Sequence, residues 1–356
     1  MTPEGPRTRH GPHADIGSTL PRALRPLAAL YAGGLAAKNA AYDNHWLPIR
    51  QLEAPVVSIG NLSVGGAGKT PLVMHLAELL GARGFAVDVL SRGYGRRSKA
   101  TERVDPGLAE PDAARRYGDE PLLMARHSGV PVYVSPKRYA AGLLAEQQQV
   151  ASARIHLLDD GFQHRQLARA VDIVLLRRED FTAALLPAGR MREPLSALGR
   201  ASIVVLRAED AVYAAEVRRH LPPDRPIWSI SRSVDLPEQA RAGQVVAFCG
   251  IAHPLNFFGS LESAGAALAA AEAFPDHHAY TEQDIAALAS RVRETKATTL
   301  LTTEKDLVRL SAGQIERLRE AASLIAVPLR VCLTDEEGCM DSLLSLPGMP
   351  LSPAPV

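Results

Sequence analysis

The chain has 356 residues, 46% of them apolar, with 40 basic against 39 acidic side chains and a formal charge of +1. That is enough length for two domains and enough apolar content for a real core, so a wholly disordered protein is excluded. The even charge lacks the basic excess of a nucleic-acid binder. Cys249, Cys332 and Cys339 show neither a disulfide framework nor zinc-ligand spacing, which fits a reducing cytoplasm.

Residues 1–19, rich in Pro, Gly, His and charge, read as a loose tail without the apolar stretch of a signal peptide. Residues 20–45 form an Ala-rich helical segment, interrupted by Gly33-Gly34 and carrying Arg22, Arg25 and Lys38. The segment is too short and too mild to span a bilayer, which takes roughly 20 strongly apolar residues. It reads either as a helix packed on the body of the protein or as one lying on a membrane surface with its basic residues at the headgroups.

Short apolar β-type runs then alternate with helical stretches. The runs are 56–59, 85–90, 132–134, 155–158, 173–176, 203–206 and 227–230; helices are expected at 72–80, 138–148 and 211–221. This alternation predicts an α/β fold, a doubly wound and mostly parallel sheet with helices on both faces and ligands at the carboxyl ends of its strands. The pattern lapses at 234–243 and restarts with "QVVAFCGIAHP", an expected Ala-rich helix near 261–273, a β-type run at 299–302 and an apolar run at 324–331. The predicted organisation is therefore a larger unit over 46–240, a smaller α/β unit over 241–345 and a Pro-rich tail over 346–356.

The sharpest local signal is "GNLSVGGAGKTP", Gly60 to Pro71, between an apolar run and a helical one. Backbone amides of a Gly-rich turn and of a helix N-terminus cradle phosphate, a lysine reaches the terminal phosphates, and a Ser/Thr hydroxyl binds Mg²⁺. Gly65, Gly66, Ala67, Gly68, Lys69 and Thr70 are thus the expected nucleotide-binding loop. Its spacing departs from the usual pattern, because Ser63 stands five residues before Gly68 where a glycine is usual. A phosphate loop implies a metal carboxylate on a neighbouring strand. "IHLLDDG" supplies Asp159 and Asp160, two adjacent acids that repel unless a cation lies near them. These features alone point to a Mg²⁺-dependent nucleoside triphosphatase or kinase with a P-loop fold.

Further clusters narrow the reading: "SRGYGR" at 91–96, "GDEP" at 118–121, "SPKR" at 135–138, "DDGFQH" at 159–164, "LPAGRMREP" at 186–194, "FPDHHAY" at 274–280 and "TTEKD" at 302–306. With the phosphate loop, they resemble the tetraacyldisaccharide 4′-kinase family of lipid A biosynthesis, in order from about residue 24 to about residue 310. The resemblance implies transfer of the γ-phosphate of ATP to the 4′-hydroxyl of a tetraacyldisaccharide 1-phosphate. It implies an active site between the two units, and work at the cytoplasmic face of the inner membrane as a peripheral or monotopic protein. It also moves residues 20–45 toward the membrane-associating reading, since a multiply acylated substrate stays in the bilayer.

The resemblance carries roles onto single residues. Asp119, in "GDEP", matches the family's catalytic carboxylate, and His277, the first histidine of "DHH", its partner; His278 is the competing choice. Lys69 and Arg192 are expected to neutralise the transferring phosphoryl group. Thr70, Asp159, Asp160 and Glu193 are the expected Mg²⁺ residues, and Arg92, Arg138, Gln163 and His164 are substrate-contact candidates. The expected partners are the lipid-linked disaccharide and the inner-membrane surface, with no nucleic acid and no evident protein partner.

Two rivals stand beside this reading. A soluble P-loop hydrolase or ligase acting on a small molecule would need no membrane segment. A GTP-binding switch would carry an Asn/Thr-Lys-x-Asp loop, but Thr303–Asp306 puts Glu304 where the lysine belongs. A metallochaperone would carry cysteine pairs, which are absent.

Overall fold

The structure, a computed structural model, describes residues 24–65, 68–108 and 112–354. The expected N-terminal tail with Arg22, and Gly66 and Ala67 of the phosphate loop, lie outside the described residues.

The chain opens with helix α1 (Arg25–Asp43) and strand β1 (Val56–Asn61), then α2 (Lys69–Ala82), β2 (Ala86–Ser91) and β3 (Glu102–Arg103). Next come α3 (Asp112–Tyr117), α4 (Asp119–His127), β4 (Val132–Val134), α5 (Arg138–Glu146), β5 (Arg154–Asp159) and β6 (Val171–Leu175). After β7 (Ile203–Arg207), α6 (Ala214–Arg218), β8 (Ile227–Val234) and α7 (Glu238–Ala242) the chain enters a second region. That region holds β9 (Gln244–Cys249), α8 (Pro254–Ser263), β10 (Ala267–Ala273), α9 (Glu282–Thr295), β11 (Thr299–Thr303), α10 (Glu304–Leu307), α11 (Ala312–Ala321) and β12 (Ser323–Val327). Strand β13 (Leu329–Leu333) and helix α12 (Glu336–Leu344) follow.

Among the described residues the strands form two sheets. The larger has nine strands in the order β13-β8-β7-β6-β1-β5-β2-β4-β3; the smaller has four, β10-β9-β11-β12, all parallel. In the larger sheet only the edge pairs β13–β8 and β3–β4 run antiparallel. The strand residues alternate between two cores as the pleat requires. Val57, Ile59, Ile173, Leu175, Ile203 and Val205 face the cluster that includes α2, α4 and α12. Val174, Leu176, Val204 and Leu206 face the opposite cluster with α6, and α5 covers the same side further along. The expected doubly wound α/β architecture with a smaller α/β unit is therefore the observed one.

Four expectations need correction. The Ala-rich stretch near 261–273 is not one helix: α8 stops at Ser263, the chain turns at Gly265 (φ 100°), and β10 follows. Alanine favours helix intrinsically, but pairing with β9 overrides so weak a preference. The run 324–331 is likewise two strands in different sheets, parted at Pro328, a residue that fixes φ and has no donor for a ladder. The stretch after 328 accordingly does not belong with 241–345: β13 pairs with β8 of the larger sheet, and Met340 and Leu343 of α12 are fully buried in that sheet's core. Nor are residues 346–354 simply a tail. Met349 is buried in that core, and the Pro353 carbonyl accepts a hydrogen bond from Ala153 N. The chain thus passes between the sheets twice, at 235–243 and at Pro328.

Candidate active site

The register of the central strands builds the site. Parallel pairing sets Ile59 beside Asp159, so the ends of β1 and β5 emerge together. From β1 the chain passes through the phosphate loop into α2, whose first residue is Lys69. The N-cap is Gly68 at φ 88°, a left-handed conformation that glycine adopts without a Cβ penalty. Glycine brings no side chain of its own to cap the first amides, and an uncapped helix N-terminus favours an anion. Thr70 is buried in the first turn. The unusual Ser63 has its own partner: it is buried, and its hydroxyl accepts from Arg177 Nη2 at 2.9 Å.

Lys69 Nζ donates to Asn61 Oδ1 at 3.0 Å and lies 3.3 Å from Asp160 Oδ1. Arg192 Nη1 approaches the same carboxylate from the other side, 3.1 and 2.9 Å from its two oxygens. Burial works to raise the Asp160 carboxyl, but Lys69 and Arg192 outweigh it and hold it below the usual carboxylate range. Asp159 is different. Its Oδ2 accepts from Ser91 Oγ at 3.1 Å, while Oδ1 is buried with no hydrogen-bond partner among the described residues. Burial, reinforced by Glu120 and Asp160, pushes Asp159 up to about 7. A buried carboxylate oxygen without a donor, beside other acids, has the chemistry of a cation ligand.

Glu193, the remaining expected Mg²⁺ residue, is held by neighbouring side chains. Its oxygens receive Arg200 Nη2 at 2.9 and 3.1 Å, Gln163 Nε2 at 3.2 Å and Asn39 Nδ2 at 3.2 Å. Both oxygens accept from these donors, so Glu193 braces the 185–193 loop. Gln163 links the end of β1 to the 185–193 loop, donating to Asn61 O at 2.9 Å and lying 3.4 Å from Arg192 Nη1. Helix α1 is tied to the same loop. Tyr31 Oη donates to Arg192 O at 2.9 Å, and Arg165 Nη2 pairs with Asp43 at 2.6 Å.

A second set of cations lies beyond the acids. Arg138, at the start of α5, is buried; burial and then Arg92 push its guanidinium down to about 10, against the pull of Asp160 and Asp159. His164 is pushed down to about 4 by burial, Arg138, Arg169, Lys38 and Arg92, so it is neutral at ordinary pH. Arg92, Arg138 and His164 thus lie near enough for the two guanidiniums to act on the imidazole, and those two charges suit an anionic group.

The smaller sheet supplies the remaining piece. Asp119 opens α4, and His277, at φ 58°, reaches it from the loop after β10, with Nδ1 3.2 Å from Asp119 Oδ2. His278 turns the other way, to Asp284 at 3.0 Å and a stack on Phe274. Burial works to raise Asp119, but the His277 hydrogen bond and the charge of Arg309 together lower it. The same hydrogen bond raises His277 against burial and Arg309. Three residues of this site are missing from the sequence reading: Glu120, Lys305 and Arg309. Lys305 Nζ pairs with Glu120, and Arg309 Nε donates to Asp119 Oδ2 at 2.7 Å. The signal was present in "TTEKDLVR", where a lysine and an arginine stand four apart, but its value as a bridge depends on a docking that no local pattern encodes.

Comparison with known proteins bears on this arrangement. Residues 20–347 match the family described as Tetraacyldisaccharide-1-P 4'-kinase. A Tetraacyldisaccharide 4'-kinase of Koribacter versatilis is 41% identical over 332 residues, covering 91% of this chain and 98% of its own. One of Anaeromyxobacter dehalogenans is 38% identical over 336 residues, with 88% of each chain covered. Among solved structures, an "apo" form of LpxK from Aquifex aeolicus in complex with ATP matches with a TM-score of 0.71 at 33% identity, over 90% of this chain and 97% of that one.

Proposed function

The chain belongs to the tetraacyldisaccharide-1-P 4′-kinase family, and we propose that the cleft between its two sheets is where the phosphoryl group changes hands. The protein is a tetraacyldisaccharide 4′-kinase that binds ATP and moves its γ-phosphate to the lipid A precursor. The observation that carries the proposed site is the convergence of an uncapped helix N-terminus bearing Lys69 with paired carboxylates at the end of the adjacent parallel strand.

In this reading the amides around Gly65–Thr70 hold the triphosphate, and Lys69 and Arg192 exchange part of their hold on Asp160 for the transferring group. Two cations aimed at that group stabilise the charge spread over its oxygens. Thr70 and Asp159, with its unpartnered oxygen, are the residues that would hold Mg²⁺, and Asp160 stands beside them. The ion supplies neutralisation of phosphate charge when bound. The acceptor 4′-oxygen bonds to the γ-phosphorus as the bond to the β-phosphate oxygen breaks. ADP leaves, and the hydroxyl proton passes to the Asp119–His277 pair. Arg92 and Arg138, with the uncharged His164 and Gln163 as further candidates, suit the acceptor's own phosphate.

The outward side of α1 supports a peripheral stance at the cytoplasmic face of the inner membrane. Its inward side packs through Tyr31, Leu35, Asn39 and Tyr42, whereas Leu30 is 74% and the following Trp46 77% exposed, with Arg25 and Lys38 also exposed. Among the described residues no helix is long and apolar enough to cross a membrane. The two units then close on substrate from opposite sides, one holding nucleotide and the other holding His277. The deciding assay follows labelled phosphate from ATP to a lipid A disaccharide 1-phosphate in mixed micelles with Mg²⁺. Transfer is expected in wild type and lost in Asp119→Asn; transfer at wild-type rates in that variant and in His277→Ala would remove the pair from the mechanism.

A further inference from the structure

The segment after β11 reaches across to α4 with two cations. Lys305 lies in α10 and Arg309 in the turn that follows it. They meet two consecutive acids: Lys305 pairs with Glu120, and Arg309 with Asp119. Arg309 is 7% exposed at its side chain and all its contacts are specific. Nε donates to Asp119 Oδ2 at 2.7 Å; Nη1 donates to Gly250 O at 2.8 Å and to Asp306 Oδ1 at 3.1 Å; Nη2 lies 3.2 Å from His277 Nδ1. Asp306 is a rigid anchor, fully buried and also receiving Gly250 N, Tyr280 Oη and Thr303 Oγ1.

The geometry sets up a competition at one nitrogen. His277 Nδ1 is 3.2 Å from Asp119 Oδ2 and equally 3.2 Å from Arg309 Nη2. Protonated, it donates to Asp119; unprotonated, it accepts from Arg309. It cannot do both. We propose that Arg309 is a positioning residue for phosphoryl transfer: carried by the smaller unit, it fixes the Asp119 oxygen it shares with His277 and competes for His277 Nδ1, so that the pair stands ready to accept the acceptor's proton only when the two units are docked. The inference rests on the Asp119–His277 reading.

Its charge acts in one direction on both partners. The guanidinium stabilises ionised Asp119 and disfavours a protonated His277. The other charged or titratable groups facing the pair are Asp276, 4.0 Å from His277 Nε2, the Glu120–Lys305 ion pair beside Asp119, Asp306 behind Arg309, and Tyr94, whose ring centroid is 6.1 Å from that of His277. None of these replaces a lost cation on Asp119 Oδ2. Removing the guanidinium charge therefore makes both groups easier to protonate, and the acid limb of the rate profile moves to higher pH whichever of the two takes the proton.

The test measures kcat/KM against pH for the full-length enzyme and its Arg309→Met, Arg309→Gln and Arg309→Lys variants, with ATP affinity as the check on folding. Arg309→Met is expected to bind ATP within about twofold of wild type, lose about tenfold or more in kcat, and move its acid limb up by about one pH unit. Arg309→Lys, which keeps the charge, should keep the wild-type limb. If Arg309→Met fails to bind ATP, Arg309→Gln, which keeps donors and drops charge, decides by the same limb. An unmoved acid limb in the charge-removing variant overturns the inference even when its rate is low, because a merely structural residue lowers the rate at every pH alike. Failure of the underlying reading looks different: Asp119→Asn and His277→Ala would then turn over normally.

Discussion

Replacing Lys69 by methionine keeps most of the aliphatic stem and removes the charge. The ammonium now sits between Asn61 and Asp160, at 3.0 and 3.3 Å, with its side chain 12% exposed. A phosphoryl oxygen taking that place would be about 4 Å or less from a unit positive charge. At an effective dielectric constant of about 20, such a pair is worth about 4 kcal/mol. About 1.4 kcal/mol is a factor of ten in rate, so kcat/KM should fall by about 10³-fold. The assay is transfer of labelled phosphate at saturating Mg²⁺, beside thermal melts that establish a folded variant. Asp160 loses one of its two cations in this variant and keeps Arg192, so Lys69→Met with Asp160→Asn should cost less than the two changes summed. A loss below about tenfold in the folded single variant would refute the placing of Lys69 on the transferring group.

Two further outcomes test other parts of the molecule. His156 is fully buried between Asp88, at 2.5 Å, and Glu146, at 3.3 Å; these hydrogen bonds raise its pKa against burial. A raised histidine value means that its stabilisation is complete below the unfolded value of about 6.5 and is lost as pH rises through the folded one. His156→Gln should thus cost about 3–5 kcal/mol in urea melts at pH 5.5 and clearly less at pH 9; an equal cost at both would show that the imidazole is not charged in the fold. At the proposed membrane face, Leu30→Ser with Trp46→Ser should weaken co-sedimentation with anionic vesicles by about a hundredfold or more, since burying each large apolar side chain is worth roughly 1.5–3 kcal/mol. Unchanged sedimentation would place the lipid contact elsewhere.

The legible parts of this protein are those whose physics is local. Short continuous apolar runs around Val57, Ile173 and Ile203, set between helical stretches, mark strands because a parallel sheet covered on both faces buries nearly every residue of them. The phosphate loop is legible because a Gly-rich turn, a lysine and a following helix suffice for its chemistry within a dozen residues. The Ala-rich β10 and the split at Pro328 were not legible, because alanine's helix preference is small against sheet pairing and an apolar run does not say which sheet it joins.

Chain order alone determined that a nucleotide-type loop, two adjacent acids and a "DHH" cluster stand in one polypeptide of α/β character. Tertiary structure decided which of these meet. It turned His277 and not His278 toward Asp119, gave both oxygens of Glu193 to Arg200, Gln163 and Asn39, left Asp159 with an unpartnered oxygen, and brought Arg309 to a carboxylate 190 positions away. Such contacts depend on how two sheets dock through a doubly crossed connection. The energies that set that docking come from surfaces far apart in sequence, where no short pattern can carry them.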